Sequence, residues 1–121
     1  MFYRKNPNND GYTIVCGINE VIDYVENLKF TKEDIDYLRK QEIFNENFLK
    51  YLEDFKFEGE IYAVEEGSIM FPNEPIIRVK AKALQAQFVE TAILCIVNFQ
   101  TLIMSDALKS GSGTVLHLIT K

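Results

Sequence analysis

The sequence is poor in the residues that usually build metal and covalent sites. It contains no tryptophan, one histidine and two cysteines among 121 residues. Cys16 and Cys95 lie far apart without the spacing of a zinc site, and His117 cannot complete a ligand set with them. We therefore expect no metal site, and we interpret both cysteines as buried, reduced thiols of a cytoplasmic protein.

Positive charge and long apolar runs are also scarce. Thirteen lysines and arginines oppose 18 acidic residues, which gives a net charge of −5. Nucleic-acid-binding domains present a basic face and membrane-surface proteins a polybasic segment, so neither partner is expected. The N-terminus lacks the apolar stretch of a signal peptide. The longest uncharged run, residues 91–105, is shorter than the ~20 residues that cross a bilayer.

Familiar catalytic motifs are missing as well. The sequence has no glycine-rich phosphate loop, no G-x-S-x-G elbow and no H-E-x-x-H helix. Gly111-Ser112-Gly113 follows the longest predicted helix instead of preceding one, so its amides do not form a phosphate-binding helix start. We interpret Glu65-Glu66 as a solvated bend and His117 as a structural or exposed residue, because no nucleophile lies near it. No catalytic residue is predicted.

The remaining sequence has the composition and size of one globular domain, with 47% apolar residues. Thr31 with Asp34, and Asn45, carry the start signals of two short helices. Alternation and helical periodicity predict an α+β fold, in which an antiparallel sheet of about five or six strands packs against four helices. The strands are expected at residues 2–5, 12–16, 60–64, 68–71 and 75–79, the first two pairing with each other. The helices are expected from residues 18, 31 and 45, and over residues 84–108, the last long and largely buried.

One polar line runs along the last predicted helix and lies on a single face by its spacing. Its members are Gln87, Thr91, Asn98, Thr101 and Ser105. One interpretation is an edge that faces solvent or an interface. The other is a polar wall that faces a ligand or a neighbouring subunit.

The cationic pair Arg4-Lys5 stands at a predicted strand end in an otherwise acidic chain. A guanidinium presents a planar fork that suits phosphate oxygens, and the adjacent ammonium adds charge. The pair is either a local anion site or surface decoration.

Several blocks of the sequence resemble the nicotinate phosphoribosyltransferase family. Phe2-Tyr3-Arg4-Lys5-Asn6-Pro7 is similar to the family's opening segment. The resemblance continues in order over residues 11–12, 17–24, 71–79, 90–94 and 98–102. It covers residues 1 to about 109.

The resemblance implies an α+β, hammerhead-like N-terminal domain of a type II phosphoribosyltransferase. The family makes nicotinate mononucleotide from nicotinate and phosphoribosyl pyrophosphate in NAD salvage, using ATP and magnesium. Its active site lies in a following α/β barrel and is completed by the N-terminal domain of the partner in a homodimer. The resemblance places Arg4, with Lys5 beside it, near a substrate phosphate.

Three departures from the family pattern limit what this chain is expected to do. The family's upstream tyrosine-bearing segment would precede Met1, and the barrel would follow residue 109. Residues 110–113 have the composition of a Ser/Gly linker, and residues 114–121 form a predicted terminal strand off the family pattern. We therefore expect an N-terminal domain that binds no cofactor and does not turn over substrate alone.

The origin of residues 110–121 has two interpretations. They are an engineered graft whose strand completes the sheet, or the end of a truncated or frameshifted gene product. We favour the first because an unpaired terminal strand is an aggregation hazard.

The sequence favours one alternative function and excludes another. A non-catalytic, self-associating interaction or scaffold domain is the alternative, since a missing barrel would bare apolar surface on the last helix. A biotinyl or lipoyl carrier is excluded, because the bend at residues 72–75 carries no lysine for attachment.

Overall fold

The computed structural model describes residues 1–5 and 11–110, with side chains up to residue 108. It confirms the α+β class. The element order is β1 (Thr13–Ile14), α1 (Ile18–Asn27), α2 (Lys32–Lys40), α3 (Glu46–Glu53), β2 (Glu60–Ala63), β3 (Ile69–Met70), β4 (Ile77–Lys80) and α4 (Ala83–Ser110). Ser110, the first residue of the predicted linker, ends α4. The rest of the linker, the predicted terminal strand and His117 lie outside the described residues.

The predicted single sheet of five or six strands is wrong for the described residues. Their four strands form two separate antiparallel pairs, β1 with β3 and β2 with β4. In the first pair Thr13 faces Met70 and Ile14 faces Ile69. In the second, the register runs from Glu60 opposite Lys80 to Ala63 opposite Ile77.

The N-terminal segment does not pair with residues 12–16, which corrects a second prediction. It lies instead along residues 73–77. The amides of Ile76 and Asn73 donate to the carbonyls of Met1 (2.9 Å) and Tyr3 (2.8 Å), and the N-terminal ammonium donates to the Ile77 carbonyl. Residues 1–5 are not assigned as a strand, so the strand predicted at residues 2–5 is not found. A short sequence window could not identify a partner 70 or more residues away.

Two hydrophobic clusters hold the helices. The main cluster joins α1 and α4 to the strands through residues that include Val15, Val21, Ile77, Val89 and Val97. The second cluster closes the α2–α3 hairpin; its buried members are Ile35, Leu49 and Leu52, with Phe30 and Phe88 packed against them. Aromatic contacts link the hairpin to α4, since the rings of Phe30 and Phe88 lie 5.5 Å apart.

Both predicted helix starts are confirmed. Thr31 accepts from the Asp34 amide, and the Asp34 carboxylate accepts from the Thr31 amide at 2.8 Å, a complete capping box. The Asn45 side chain accepts from the Phe48 amide at 2.8 Å. Each cap satisfies an amide that has no partner inside the helix. These short helices are therefore defined locally.

Helix α4 is less buried than its sequence predicts. It is long and apolar enough to cross a membrane by length and composition, with a mean hydropathy of 1.6 over an 18-residue window within residues 83–108. This differs from the expectation that was based on the uncharged run alone. Soluble core helices pass the same test, and Val89, Ile93 and Val97 of α4 lie in the core. Its outer face is nevertheless bare, with Leu84, Leu94, Phe99, Leu102 and Leu108 exposed.

Candidate functional site

Arg4 and Lys5 directly follow an anchored segment. The Tyr3 hydroxyl donates to the Met70 carbonyl at 2.7 Å, while the Tyr3 carbonyl accepts from Asn73. Residues 1–3 are thus fixed to β3 and to the turn that follows it. The backbone that carries the Arg4 and Lys5 side chains therefore starts from a defined point on the domain surface.

The turn at residues 71–74 shapes this anchor. Asn73 adopts a left-handed backbone conformation with φ of 70°, which asparagine tolerates better than most residues. The Glu74 carboxylate accepts from the Phe71 amide at 2.8 Å. Burial and then the nearby Glu74 carboxylate raise the pKa of Tyr3. Tyr3 therefore stays protonated and able to donate at neutral pH.

Arg4 and Lys5 are both exposed. Among the described residues, neither forms a salt bridge, whereas Arg39 pairs with Asp36 at 2.9 Å and Glu46 at 3.0 Å. No described carboxylate therefore neutralises their charges. A lone pair of exposed cations binds weakly in water. Strong binding requires further groups or a drier environment around the anion.

Glu66 has a role that sequence reasoning missed. Its carboxylate accepts from the backbone amides of Gly17 (2.8 Å), Ile18 (2.7 Å) and Asn19 (3.3 Å) at the start of α1. This corrects the interpretation of Glu65-Glu66 as a solvated bend for Glu66 alone, since Glu65 is exposed beside the turn as interpreted. A helix start favours negative charge, and here Glu66 supplies it. One signal was present: Gly17 precedes α1 without a side-chain cap, so the helix needed an acceptor from elsewhere.

The two cysteines differ in environment. Cys16 is buried as predicted, but Cys95 is exposed, which corrects its assignment as a buried thiol. Burial first, and then the charge and hydrogen bond of Glu66, raise the pKa of the Cys16 thiol to about 11. Cys16 is therefore a protonated thiol at neutral pH and a poor nucleophile.

The polar line of α4 divides into two parts. The Thr101 hydroxyl accepts from the Cys16 amide at 3.1 Å and donates to the Cys16 carbonyl at 3.2 Å. Ser105 bonds the Thr13 hydroxyl at 3.0 Å. Gln87, Thr91 and Asn98 are exposed. The C-terminal part thus docks α4 onto the end of β1, an intramolecular role that neither sequence interpretation included.

No metal donor set is found in the described part of the chain, where no three His, Cys, Asp or Glu side chains are grouped so that they could hold an ion. The described residues therefore form no site for the magnesium ion that the resemblance implies, and no catalytic step is assigned to that ion here. What the geometry offers is an anchored cationic pair for an anion. It also offers an apolar surface on α4, the α4 patch, formed by Leu94, Cys95, Phe99 and Leu102.

Comparisons with known proteins point in one direction. Residues 1–98 match the family model of the nicotinate phosphoribosyltransferase (NAPRTase) N-terminal domain. A nicotinate phosphoribosyltransferase of Bacillus subtilis is 43% identical over 107 residues, 88% of this chain and 22% of the relative. One of Caenorhabditis elegans is 36% identical over 98% of this chain and 22% of the relative. The crystal structure of human nicotinic acid phosphoribosyltransferase shares the fold, with a TM-score of 0.78 and 24% identity over 88% of this chain. The chain thus spans 22% of the length of these proteins.

Proposed function

The chain belongs to the nicotinate phosphoribosyltransferase family through its N-terminal domain, and from this premise we propose that it supplies phosphate contacts to an active site formed mainly by residues outside it. The curated relatives that match are named nicotinate phosphoribosyltransferases. The proposed substrates of the complete site are nicotinate and phosphoribosyl pyrophosphate, and its product is nicotinate mononucleotide for NAD salvage. The proposed setting is a cytoplasmic homodimer.

The chemistry explains what Arg4 and Lys5 would contribute. Phosphoribosyl transfer places positive character on the ribose while the pyrophosphate group leaves with growing negative charge. Cations positioned on its oxygens stabilise that charge, and holding the group in place orients the reaction. Arg4 would bind two oxygens at once through its fork, with Lys5 as a second charge.

The observation that carries this proposal is that the cationic pair directly follows a residue held in place by hydrogen bonds. Tyr3 is held through its hydroxyl and its carbonyl, and the next two side chains are exposed cations without salt bridges among the described residues. Residues placed only for solubility need no such anchor. The pair thus has the accessibility that a phosphate contact requires.

The domain alone is proposed to be inactive. The described residues lack the magnesium donor set noted above, so ATP and magnesium would be bound by other parts of the complete enzyme. Since Cys16 stays protonated at neutral pH, it does not serve as a nucleophile either. Binding without turnover is the expected behaviour of the purified chain.

A pyrophosphate titration followed by NMR tests the proposal on the chain as it exists. We expect saturable shifts confined to residues 1–5 and 71–74. Arg4→Ala should weaken binding about tenfold, the usual loss for one charge-assisted contact of ~1.5 kcal/mol. Arg4→Lys should recover only part of it, because the ammonium lacks the fork.

The matched control is Lys32→Ala, which removes an exposed cation from the start of α2. It should leave the affinity unchanged. Equal losses for Lys32→Ala and Arg4→Ala, or shifts spread over every lysine, would show non-specific charge attraction and contradict the assignment. Formation of nicotinate mononucleotide by the purified chain would contradict the proposed inactivity.

A second candidate function, a non-catalytic self-associating domain, is favoured by the α4 patch. Phe99 is 66% exposed, Leu102 46% and Leu94 38%. Exposed apolar patches of this kind mark interaction sites. If the chain self-associates, light scattering should give the mass of a dimer or a larger assembly, and Phe99→Glu should restore the monomer. The control is Ile43→Glu, at an apolar residue elsewhere that is 77% exposed; it should have no effect on the mass. A monomer at all concentrations contradicts it.

A further inference from the structure

A hollow of about 800 Å³ lies between the end of α1 and the segment that joins α3 to β2. Residues 22–30 form one wall and residues 53–61 the other. This volume falls within the range of small-molecule sites, roughly 300–1,000 Å³. Arg4 and Lys5 do not line the hollow, so it is separate from the phosphate contact proposed above.

The interior of the hollow is apolar and aromatic. Val25 and Phe55 line it and are almost fully buried. The rings of Phe30 and Phe55 meet edge to face with their centroids 5.5 Å apart, and Phe57 is half-buried beside them. Ile22 also lines the hollow and is 42% exposed. An apolar ligand body in the hollow would therefore contact phenylalanine rings and remove the Ile22 side chain from water.

The charged side chains around the hollow favour a ligand of positive charge. Three carboxylates and two ammonium groups line it, which leaves one negative charge in excess. In the part of the chain that the structure describes, none of the five forms a salt bridge, although the charge of Arg39 also acts on Glu53. The five residues are Glu26, Glu53, Asp54, Lys29 and Lys56.

Two helix ends add to this negative potential. Residues at the ends of both α1 and α3 line the hollow, and a helix C-terminus carries about half a negative elementary charge. The last turn of α1 contains no basic residue that would offset it. Helix ends and carboxylates thus act in the same direction on a ligand in the hollow.

We propose that this hollow binds a small organic cation, in which an ammonium group is carried by an apolar body such as an aromatic ring. The body packs against the phenylalanine rings, whose faces also attract cations. The ammonium group lies among the carboxylates at the two helix ends. An anion of the same shape meets a net negative potential there, so the sign of the ligand charge determines selectivity.

Three probes of similar shape and different charge test the proposal on the full chain. They are the cation phenethylammonium, the neutral phenethyl alcohol and the anion phenylacetate. In NMR titrations we expect saturable shifts within residues 22–30 and 53–61. Phenethylammonium should bind about tenfold more tightly than phenylacetate, because attraction by the carboxylates and rings is replaced by repulsion.

Substitutions of the charged lining residues should change the affinity in opposite directions. Glu26→Gln should weaken phenethylammonium binding about threefold, as expected for one solvent-exposed charge pair. Lys29→Gln removes an opposing cation and should strengthen binding by a similar factor. The matched control is Asp23→Asn, which removes an exposed carboxylate from the same helix outside the hollow and should leave the affinity unchanged. Partial unfolding would weaken binding in every variant and does not produce opposite changes.

Four outcomes would overturn the proposal. The first is the absence of saturable shifts with phenethylammonium, and the second is equal affinity for the three probes. The third is an equal loss for Glu26→Gln and Asp23→Asn, which would assign the attraction to the net charge of the chain. The fourth is shifts confined to the α4 patch, which would place the site there. None of the probes carries a phosphate group, so these outcomes do not depend on the role proposed for Arg4 and Lys5.

Discussion

Glu66→Ala is expected to lower the free energy of unfolding by about 2–4 kcal/mol. The substitution removes an acceptor from the amides of Gly17, Ile18 and Asn19. Two of these three bonds are partly buried, and a charge-assisted hydrogen bond contributes ~1.5–3 kcal/mol. The loss of negative charge at the start of α1 adds to the effect. Urea unfolding followed by circular dichroism measures it.

The neighbouring residue provides the control for this prediction. Glu65→Ala removes the same charge from the same turn, but the Glu65 side chain is exposed and only its backbone carbonyl accepts hydrogen bonds, from Ser68. Its effect should stay within ~0.5 kcal/mol. Equal losses for the two variants would show that only the net charge of the turn matters.

Cys16 gives an independent readout of the same substitution. Burial is the first cause of its high pKa, and the Glu66 carboxylate is the second. In Glu66→Ala the thiol pKa should fall from about 11 toward its ordinary value of 9.0, because the negative charge that opposes the thiolate is gone. An unchanged thiol titration in a folded variant would contradict the contact.

Local signals in the sequence predicted the helices well. Thr31, Asp34 and Asn45 act on amides within three residues of themselves, so their information is contained in a short window. The bounds of α1 follow in the same way from apolar spacing, which requires no knowledge of the partner surface.

The strand pairing and the capping of α1 were beyond such reasoning. Met1 bonds residues 76 and 77, and Glu66 acts on amides 47–49 residues away. These contacts depend on how the chain closes on itself, and many acceptors in the sequence could have filled the same amides. A short stretch of sequence contains no information that selects one of these acceptors over the others.

The prediction that α4 is largely buried failed for a different reason. Apolar residues around most of a helix predict burial, yet Phe99 is 66% exposed in this chain. The matched relatives are several times longer, since the chain spans 22% of them. The exposed apolar face of α4 is consistent with a domain whose relatives contain several times more residues than this chain. Of the candidate site, the cationic pair was predicted, and its anchor through Tyr3 was not.

Gly17→Ala should cost about 3 kcal/mol of unfolding free energy. Gly17 has a φ of 97°, a region that costs an L-residue ~1–2 kcal/mol. A methyl group there would also lie 3.2 Å from both the Ile96 side chain and the Ile96 carbonyl oxygen of α4. The two effects add, because relieving the contact requires the turn to move away from the helix.

Gly67→Ala separates the two effects. Gly67 has a similar φ of 81°, but a methyl group there meets no atom within 4 Å. It should therefore cost only the backbone term, about 1 kcal/mol. Urea unfolding of both variants gives the difference, which measures how closely the β1–α1 turn packs on α4. The Glu66 carboxylate also binds the amides of this turn and of Asn19, which follows it. Equal losses for the two glycine variants would mean that the close packing of the turn on α4 contributes nothing to holding α1 against α4.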